Sequence, residues 1–473
     1  MNVLLSSLKW SYITEIGSKL IQPLSFLILA YFLTPESLGI VSGAMIVVAF
    51  SQVIWEAGFG KAIIQNDKTT IEQYSTLFWI NFLLGLITSL LIFVFSERIA
   101  YSIFSDSRII LVLKYMSIFI VLSSLNTIQI GIFQKKFEFK KLLNARLSGS
   151  IVQAILSTSL AYLGYDYFSL VYGLIIGQII QVVLIWKQSS WRPKLIFELN
   201  HSRPLIVFGF WTALSAMLSW FYMWMDNLVV ASYLGFKELG LYRYGNMIPS
   251  LFFTMLFSPA IPVLYSFLSK SKRKINLLKQ TMSFAFSSVV IISFPLALIL
   301  FLNSNIIELI LFNEEWEGIG FVISILTVMH AFSWIIGFNG EYYRAINRPK
   351  LDTIVSSSLL IFYFLGYIYF VQKGFETFIY GRLILAIIAL IPHFITYLIL
   401  SKSKINSFYF TFIQVTAFCI CIYLLSFYFL FNFSFENLFF QILYNSVISL
   451  LILVLYYLIF KRKILIILRF LKK

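Results

Sequence analysis

Charged residues are scarce in this 473-residue chain, at 12% of the sequence, which is about half their share in an ordinary soluble domain. Hydrophobic residues make up 60%, more than a soluble fold could bury or cover with polar groups. This composition excludes a soluble enzyme, a nucleic-acid-binding protein and a secreted disulfide scaffold. A bilayer-spanning helix uses about 20 apolar residues, so the number of hydrophobic residues in this chain is enough for about fourteen crossings. Because the apolar runs are continuous rather than alternating, they predict helices and not the strands of a membrane β-barrel.

Cysteine and histidine are also rare, with two and three residues respectively. Cys419 and Cys421 lie two positions apart in one apolar run. They therefore point to different sides of a helix and cannot form a disulfide bond there. Neither a second cysteine pair nor a histidine completes a metal-binding pattern. We accordingly expect no metal and no cofactor.

Fourteen apolar runs, each bounded by charged or turn residues, predict an all-α polytopic membrane protein. Their approximate ranges are 10–33, 37–55, 74–95, 109–133, 142–163, 167–186, 205–233, 239–268, 281–302, 319–343, 353–371, 378–400, 407–431 and 438–460. The longest polar break follows the sixth run and sets the predicted domains. These are a six-helix half at 1–186, a cytoplasmic linker at 187–204, a second six-helix half at 205–400, and two extra helices with a basic tail at 401–473.

Lysine and arginine are distributed asymmetrically among the predicted loops. With the N-terminus in the cytoplasm, 28 of the 36 Lys and Arg residues fall in inside segments and four in outside loops. Such an excess is the signature of the positive-inside rule, and it predicts that both termini are cytoplasmic. It also explains the net charge of +16 without nucleic acid, because bases near anionic lipid headgroups are stabilised.

An internal repeat relates residues 28–44, ILAYFLTPESLGIVSGA, to residues 229–245, VVASYLGFKELGLYRYG, at an offset of 201 positions. The identical pairs are Ala30 with Ala231, Leu33 with Leu234, Leu38 with Leu239, and Gly39 with Gly240. Because an even number of predicted crossings separates the copies, the repeats would be parallel six-helix halves, an architecture that usually serves transport. The alternative is the general similarity between any two apolar helices.

Polar residues recur at helical spacing inside three predicted crossings. The stripes comprise Ser11, Glu15, Ser18, Gln22 and Ser25 with Lys19 in the first, Thr212, Ser215, Ser219, Tyr222 and Asp226 in the seventh, and Thr327, His330, Trp334, Gly337, Glu341 and Arg344 in the tenth. A charge at the bilayer centre costs about 2.5–3.5 kcal/mol even on the mildest scale, so these stripes predict a hydrated central cavity. One alternative is a Glu15–Lys19 ion pair that merely orients the first helix. Arg243 and Arg382 also lie within predicted crossings, about one turn from the outside ends. The alternative for these two residues is that their side chains only snorkel to the membrane surface.

Prolines concentrate in the eighth predicted crossing, at Pro249, Pro259 and Pro262. Each proline removes a backbone hydrogen bond and can kink a helix. We predict that these three residues form a hinge that bends during alternating access.

The segment 23–65, PLSFLILAYFLTPESLGIVSGAMIVVAFSQVIWEAGFGKAIIQ, resembles the opening of Wzx-type polysaccharide flippases. The similarity is greatest to the branch that exports colanic-acid-like and teichuronic-acid-like repeat units. STLFWINFLLG at 75–85, FQKKFEFKKL at 133–142 and MDNLVVASYLGFKELGLY at 225–242 resemble the same family. The resemblance covers about 1–400 and implies the 6+6 helix plan of the multidrug/oligosaccharidyl-lipid/polysaccharide (MOP) superfamily, which agrees with the repeat.

This resemblance implies a function and a set of candidate residues. The implied substrate is an oligosaccharide repeat unit on an isoprenoid pyrophosphate of the undecaprenyl type, flipped from the cytoplasmic to the outer leaflet of the bacterial plasma membrane for O-antigen, capsule or exopolysaccharide biosynthesis. The substrate-binding candidates in a cationic cavity are Lys19, Arg243, Arg382, Lys114 and Gln22. The candidates for coupling to H⁺ or Na⁺ are Glu15, Asp226 and Glu341. We expect a monomer that contacts membrane lipids and no nucleic acid, and that is not an enzyme.

Other functions are compatible with a polytopic helical chain. A drug or cation antiporter of the same superfamily would depend on the buried acids rather than on the buried bases. A membrane-embedded glycan polymerase or ligase would need catalytic residues in an outside loop, and the longest predicted one has about 16 residues. A pore would need no repeat-related hinge helices.

Overall fold

The computed structural model describes residues 21, 23–66, 69–270, 275–401, 406–432 and 438–472. These ranges are predominantly helical and contain no β-strand. They divide into two compact units, Met1–Arg243 and Tyr244–Lys473. The boundary between the units lies within helix α10, Phe236–Phe257.

The first unit contains nine complete helices, among the residues described, and the first two turns of α10. They are α1 Pro23–Phe32, α2 Pro35–Glu56, α3 Phe59–Gln65, α4 Ile71–Ile99 continuing into a π-helix at Ala100–Phe104, α5 Ile109–Ser124, α6 Thr127–Lys135, α7 Phe139–Tyr162, α8 Phe168–Gln188 and α9 Leu199–Tyr233.

The second unit contains the remainder of α10 and the helices that follow it. They are α11 Ala260–Lys270, α12 Ile275–Leu302, α13 Ser304–Leu311, a 3₁₀ turn at Glu314–Trp316, α14 Ile319–Ile336, α15 Asn339–Ala345, α16 Pro349–Val371, α17 Phe375–Ser401, α18 Asn406–Asn432 and α19 Leu438–Lys472.

Eleven helical spans among the described residues are long and apolar enough to cross a membrane, and the chain is a multi-pass membrane protein. Three further predicted crossings correspond to helices outside that set. The first is the short α1, the fifth is α7, and the eighth is divided between α10 and α11. The helical class of the fold is confirmed, and the number of fourteen crossings stays a prediction.

Local sequence explains where α2 and α4 of the first unit begin. The Thr34 side chain accepts a hydrogen bond from the Ser37 backbone N–H at 3.1 Å, and Pro35 occupies the first turn of α2. Thr70 and Gln73 form a capping box at the start of α4, with reciprocal hydrogen bonds of 3.0 and 3.2 Å. Both arrangements satisfy backbone donors that a helix N-terminus otherwise leaves unpaired.

Helix α4 shows the packing expected of a chain whose solvent is lipid. It buries Thr88 and Ser89, whereas Leu90 and Val94 are each 61% exposed. The Ser89 hydroxyl donates a hydrogen bond of 2.7 Å to the Ser117 carbonyl of α5. Small polar residues let membrane helices approach and bond to one another, while large aliphatic residues suit the hydrocarbon. The exposed apolar face therefore agrees with the predicted membrane environment.

Two glycines identified by the repeat make reciprocal contacts in the first unit. A Cβ atom added at Gly39 would lie 1.8 Å from the carbonyl oxygen of Phe236, and one added at Gly240 would lie 1.9 Å from that of Pro35. The offset of 201 relates Gly39 to Gly240, and it also relates Pro35 to Phe236. The first turns of α2 and α10 therefore pack against each other through equivalent positions of the repeat.

Candidate functional site

A polar cavity of about 410 Å³ lies inside the first unit. We call it the amide pocket because glutamine and asparagine side chains dominate its polar lining. It is bounded by the C-terminal part of α2, the short helix α3, the junction of α5 and α6, and facing segments of α7 and α8. Its polar and aromatic lining residues are Gln52, Trp55, Glu56, Lys61, Phe119, Ser123, Asn126, Thr127, Gln134, Arg146, Gln178 and Gln181.

A glycine contact brings α7 and α8 close together at this pocket. A Cβ atom at Gly149 would lie 2.8 Å from the Gly177 carbonyl oxygen, and one at Gly177 would lie 2.8 Å from the Gly149 carbonyl oxygen. Because neither position could hold a larger side chain at this separation, the two backbones pack directly. The contact places Arg146, one turn before Gly149, beside Gln178 and Gln181 in the pocket wall.

The pocket contains two cationic side chains, Lys61 and Arg146, and one carboxylate, Glu56. The Gln52 amide donates a hydrogen bond of 2.9 Å to the Glu56 carboxylate. The charged groups of the lining therefore sum to a net positive charge. Glutamine side chains add both donors and acceptors, which suit hydroxyl groups as well as phosphate oxygens.

Two buried polar groups of the lining lack hydrogen-bond partners within the described part of the chain. Asn126 is 1% exposed, and both its amide nitrogen and its amide oxygen are without a partner. Trp55 is 4% exposed, and its indole N–H is likewise without an acceptor. Buried polar groups are nearly always hydrogen-bonded in proteins. The unpaired polar atoms of both residues are fully buried, so they lie behind the surface of the pocket and do not face its space.

Lys114, a predicted cavity residue, lies on α5 away from the amide pocket lining. Its ammonium nitrogen is 3.9 Å from a carboxylate oxygen of Glu97 and 5.8 Å from the centroid of the Phe93 ring. The other predicted residues of the first crossing, Lys19, Glu15 and Gln22, lie outside the described residues.

Arg243 and Asp226 are brought to the same corner of the first unit, where α9 meets α10. The Arg243 guanidinium carbon lies 4.5 Å from the centroid of a Trp224 ring, a cation–π distance. Asp226 is 7% exposed and accepts a hydrogen bond of 2.6 Å from the Tyr242 hydroxyl. It also accepts hydrogen bonds of 2.8 Å from the backbone and side-chain nitrogens of Asn227. These contacts give Asp226 a structural role, and its predicted part in ion coupling stays a prediction.

Arg382 and Glu341 lie in the second unit. The Arg382 guanidinium stacks over the Tyr367 ring, 5.0 Å from its centroid, and donates a hydrogen bond to the Tyr367 hydroxyl. The Glu341 carboxylate forms an ion pair of 2.6 Å with Arg344. The two residues thus have separate local partners, and their predicted roles stay predictions.

The proline cluster coincides with a break in the helix. α10 ends at Phe257, Pro259 lies in the turn that follows, and α11 begins at Ala260. Pro249 lies inside α10, and Pro262 lies in α11. Proline has no N–H to donate, so the backbone ladder is interrupted at this turn. The hinge function itself stays a prediction.

A charged cluster lies at the end of the first unit that the topology predicts to be outside. Arg108 donates hydrogen bonds of 2.6 Å to both Asp106 and Glu36, and the Ser37 hydroxyl donates to Asp166. The hydrogen bond from Arg108 holds the pKa of Asp106 below its ordinary value. The bonds to Asp106 and Glu36 raise the pKa of Arg108 in turn. The cluster ties the start of α2 to two loops.

The amide pocket was not predicted from the sequence, although two features of the sequence indicate it. The motif VIWEAGFGK at 53–61 contributes Trp55, Glu56 and Lys61. Gln178 and Gln181 are three positions apart in a predicted crossing, and therefore share one helix face. Carboxamides at this spacing within an apolar run were the signal that could have identified the site.

Comparison with known proteins relates most of the chain to polysaccharide biosynthesis. The family described as "Polysaccharide biosynthesis protein" matches residues 28–320. The teichuronic acid biosynthesis protein TuaB of Bacillus subtilis (strain 168) is 23% identical over 78% of this chain and 77% of its own length. The succinoglycan biosynthesis transport protein ExoT of Rhizobium meliloti (strain 1021) is 23% identical over 67% of this chain and 64% of its own length.

The fold is shared with a solved transporter structure. The lipid II flippase MurJ in an inward closed conformation matches with a TM-score of 0.76 at 17% identity, covering 97% of this chain and 100% of the other. At this identity the match establishes the fold alone.

Proposed function

Because this chain belongs to the polysaccharide biosynthesis protein family, we propose that it is a flippase for lipid-linked oligosaccharides. It moves a saccharide repeat unit on an isoprenoid pyrophosphate from the cytoplasmic to the outer leaflet for surface polysaccharide biosynthesis. One relative is named a transport protein for succinoglycan biosynthesis, and the shared fold includes a lipid II flippase. These similarities support transport over catalysis by a glycan polymerase or ligase.

The observation that carries this proposal is the amide pocket. A cavity with two cations and several carboxamides lies inside a helical unit whose exterior is apolar. Polar groups at membrane depth are costly and are typical of substrate pathways. A saccharide headgroup supplies the hydroxyls and phosphate oxygens that such a lining can bind.

The energetics of moving this substrate are favourable without another driving ion. Sugar and pyrophosphate cannot cross hydrocarbon unaided, since burial of unpaired polar and charged groups is strongly unfavourable. Moving about two negative charges out of an inside-negative cell releases about 4.6 kcal/mol per 100 mV. Coupling to H⁺ or Na⁺ through Glu15, Asp226 or Glu341 would add to this energy but is not required.

The finer features of the mechanism are part of the same proposal. The protein acts as a monomer with both termini in the cytoplasm, and its two six-helix halves, 1–186 and 205–400, alternate access to the two leaflets. Lys19, Arg243, Arg382, Lys114 and Gln22 are the candidates for cavity contacts with the substrate. The proline-rich break between α10 and α11 is the proposed hinge.

Deletion of the gene in its native strain tests the proposal. We expect lipid-linked repeat units to accumulate in the cytoplasmic leaflet, where an impermeant glycan-oxidising reagent cannot reach them in intact cells. A plasmid copy of the full chain should restore export. Repeat units that reach the outer leaflet unpolymerised would instead favour a polymerase or ligase. Normal polymer in the deletion strain, with increased sensitivity to cationic drugs, would favour the antiporter.

A further inference from the structure

We infer that the amide pocket is a binding subsite for the pyrophosphoryl-saccharide headgroup, with Lys61 and Arg146 binding phosphate oxygens and the carboxamides binding sugar hydroxyls. The inference rests on the proposed function and adds a location and named residues to it. None of the residues predicted from the sequence as cavity contacts lines this pocket among the described part of the chain.

The charge of the lining favours an anion. Lys61 and Arg146 face a cavity that contains a single carboxylate, Glu56. The hydrogen bond from Gln52 occupies one oxygen of that carboxylate. Arginine and lysine bind phosphate through charge-assisted hydrogen bonds.

The neutral part of the lining favours a saccharide next to that anion. Gln178 and Gln181 present two carboxamides from one face of α8, and Gln134 adds a third from α6. A carboxamide can donate and accept at once, as a sugar hydroxyl also does, so the two groups are complementary.

The position and size of the pocket fit a headgroup that enters from the cytoplasm. The pocket lies where α2 ends, α7 begins and α8 approaches its C-terminal end, and the topology predicts that these ends are cytoplasmic. Its volume of about 410 Å³ is within the range of small-ligand sites, roughly 300–1,000 Å³. It can therefore hold a headgroup but not a long isoprenoid chain as well.

Calorimetric titration of the purified full chain in lipid nanodiscs with inorganic pyrophosphate tests the anion part of the inference. We expect binding to the wild type and at least about tenfold weaker binding to Lys61→Gln and to Arg146→Gln, because each loses a charge-assisted contact. Lys187→Gln is the matched control, since this exposed cation lies at the same end of α8 but does not line the pocket. Lys61→Arg retains the charge and should restore binding.

Equal pyrophosphate affinity in the wild type, Lys61→Gln and Arg146→Gln would overturn the subsite, as would a wild type that binds no pyrophosphate. If a glutamine variant fails to fold, Lys61→Met or Arg146→Met is titrated instead, and the same loss of affinity for pyrophosphate is expected because the charge is again removed.

Export measurements test the saccharide part and separate the two proposals. The double variant Gln178→Leu with Gln181→Leu should lose less affinity for inorganic pyrophosphate than Lys61→Gln does, because both cations remain, and it should export at least about tenfold less glycan. If deletion of the gene blocks export, but the double variant and Lys61→Gln both restore it to the wild-type level, only the subsite is overturned. A deletion strain that exports normally would overturn the flippase proposal itself.

Discussion

Arg382 uses its guanidinium for two contacts with one residue, stacking on the Tyr367 ring and donating to its hydroxyl. Either contact could explain a half-buried arginine without any substrate. If its charge also binds the substrate, Arg382→Gln should reduce export while Arg382→Lys retains most of it, because lysine keeps the charge but not the planar stack. Export and the unfolding midpoint of the purified protein are measured together. Equal loss of thermal stability in both variants, with export per folded molecule unchanged, would assign Arg382 to packing alone.

Asp106 should make the first unit sensitive to acid. Its pKa is depressed by the hydrogen bond from Arg108, so it stabilises the fold above the ordinary carboxyl pKa of 3.8. That contribution is lost as the pH falls through the lower folded-state pKa. Asp106→Asn should lower stability at neutral pH by a few tenths to about 1 kcal/mol, since the ion pair with Arg108 is partly exposed to solvent. The deficit should vanish once the pH is below the lowered folded-state pKa of Asp106, because the wild-type residue is then also protonated.

The measurement for Asp106 is the thermal unfolding midpoint of the purified variant at a series of pH values. Glu314→Gln is the control, because Glu314 is an exposed acid in the turn before α14. A deficit for Asp106→Asn that stays constant from neutral to acid pH would show that the side chain matters for its shape rather than for its charge.

At the scale of helices, the contact between α2 and α10 depends on the absence of a side chain at Gly39 and Gly240. An added Cβ would lie within 2 Å of a backbone oxygen at either position, and a backbone cannot give way as a side-chain tip can. Overpacking usually costs about 1–3 kcal/mol, and we expect the upper end of that range for Gly39→Ala and for Gly240→Ala. The unfolding midpoint checks this. Ile54→Ala, at an exposed apolar position of α2, is the control, and a wild-type midpoint in Gly240→Ala would contradict the close contact.

The helix break at Pro259 gives the hinge proposal a test at a single residue. Pro259→Ala restores a backbone N–H and should allow α10 and α11 to join into one helix. We expect slower export with normal protein levels in the membrane, since the bend is proposed to change during transport. Pro295→Ala is the matched control, because Pro295 lies inside α12 without ending it. Unchanged export in Pro259→Ala would show that the proline serves packing only.

At the scale of the whole chain, the sequence predicted the helices well and the amide pocket not at all. Continuous apolar runs fix helix positions, because each run must satisfy its backbone within the membrane by itself. The pocket depends instead on which helices are neighbours. Gln52 and Gln181 are more than one hundred positions apart and meet only because α2 and α8 surround the same space. Hydropathy carries no information on that pairing, whereas the repeat did locate the equivalent glycines Gly39 and Gly240.

The orientation of the chain decides whether the amide pocket can receive a substrate from the cytoplasm. The excess of basic residues predicts that the segment 270–279 and the C-terminus after Lys473 are both inside. Reporter fusions at these two points should both give a cytoplasmic signal, and a fusion after Glu317 should give an outside signal. Because fourteen crossings place both termini on one side, an outside signal after Lys473 would mean that the number of crossings is odd. An outside signal at 270–279 would mean that an odd number of crossings precedes this segment. That result would contradict the parallel repeat.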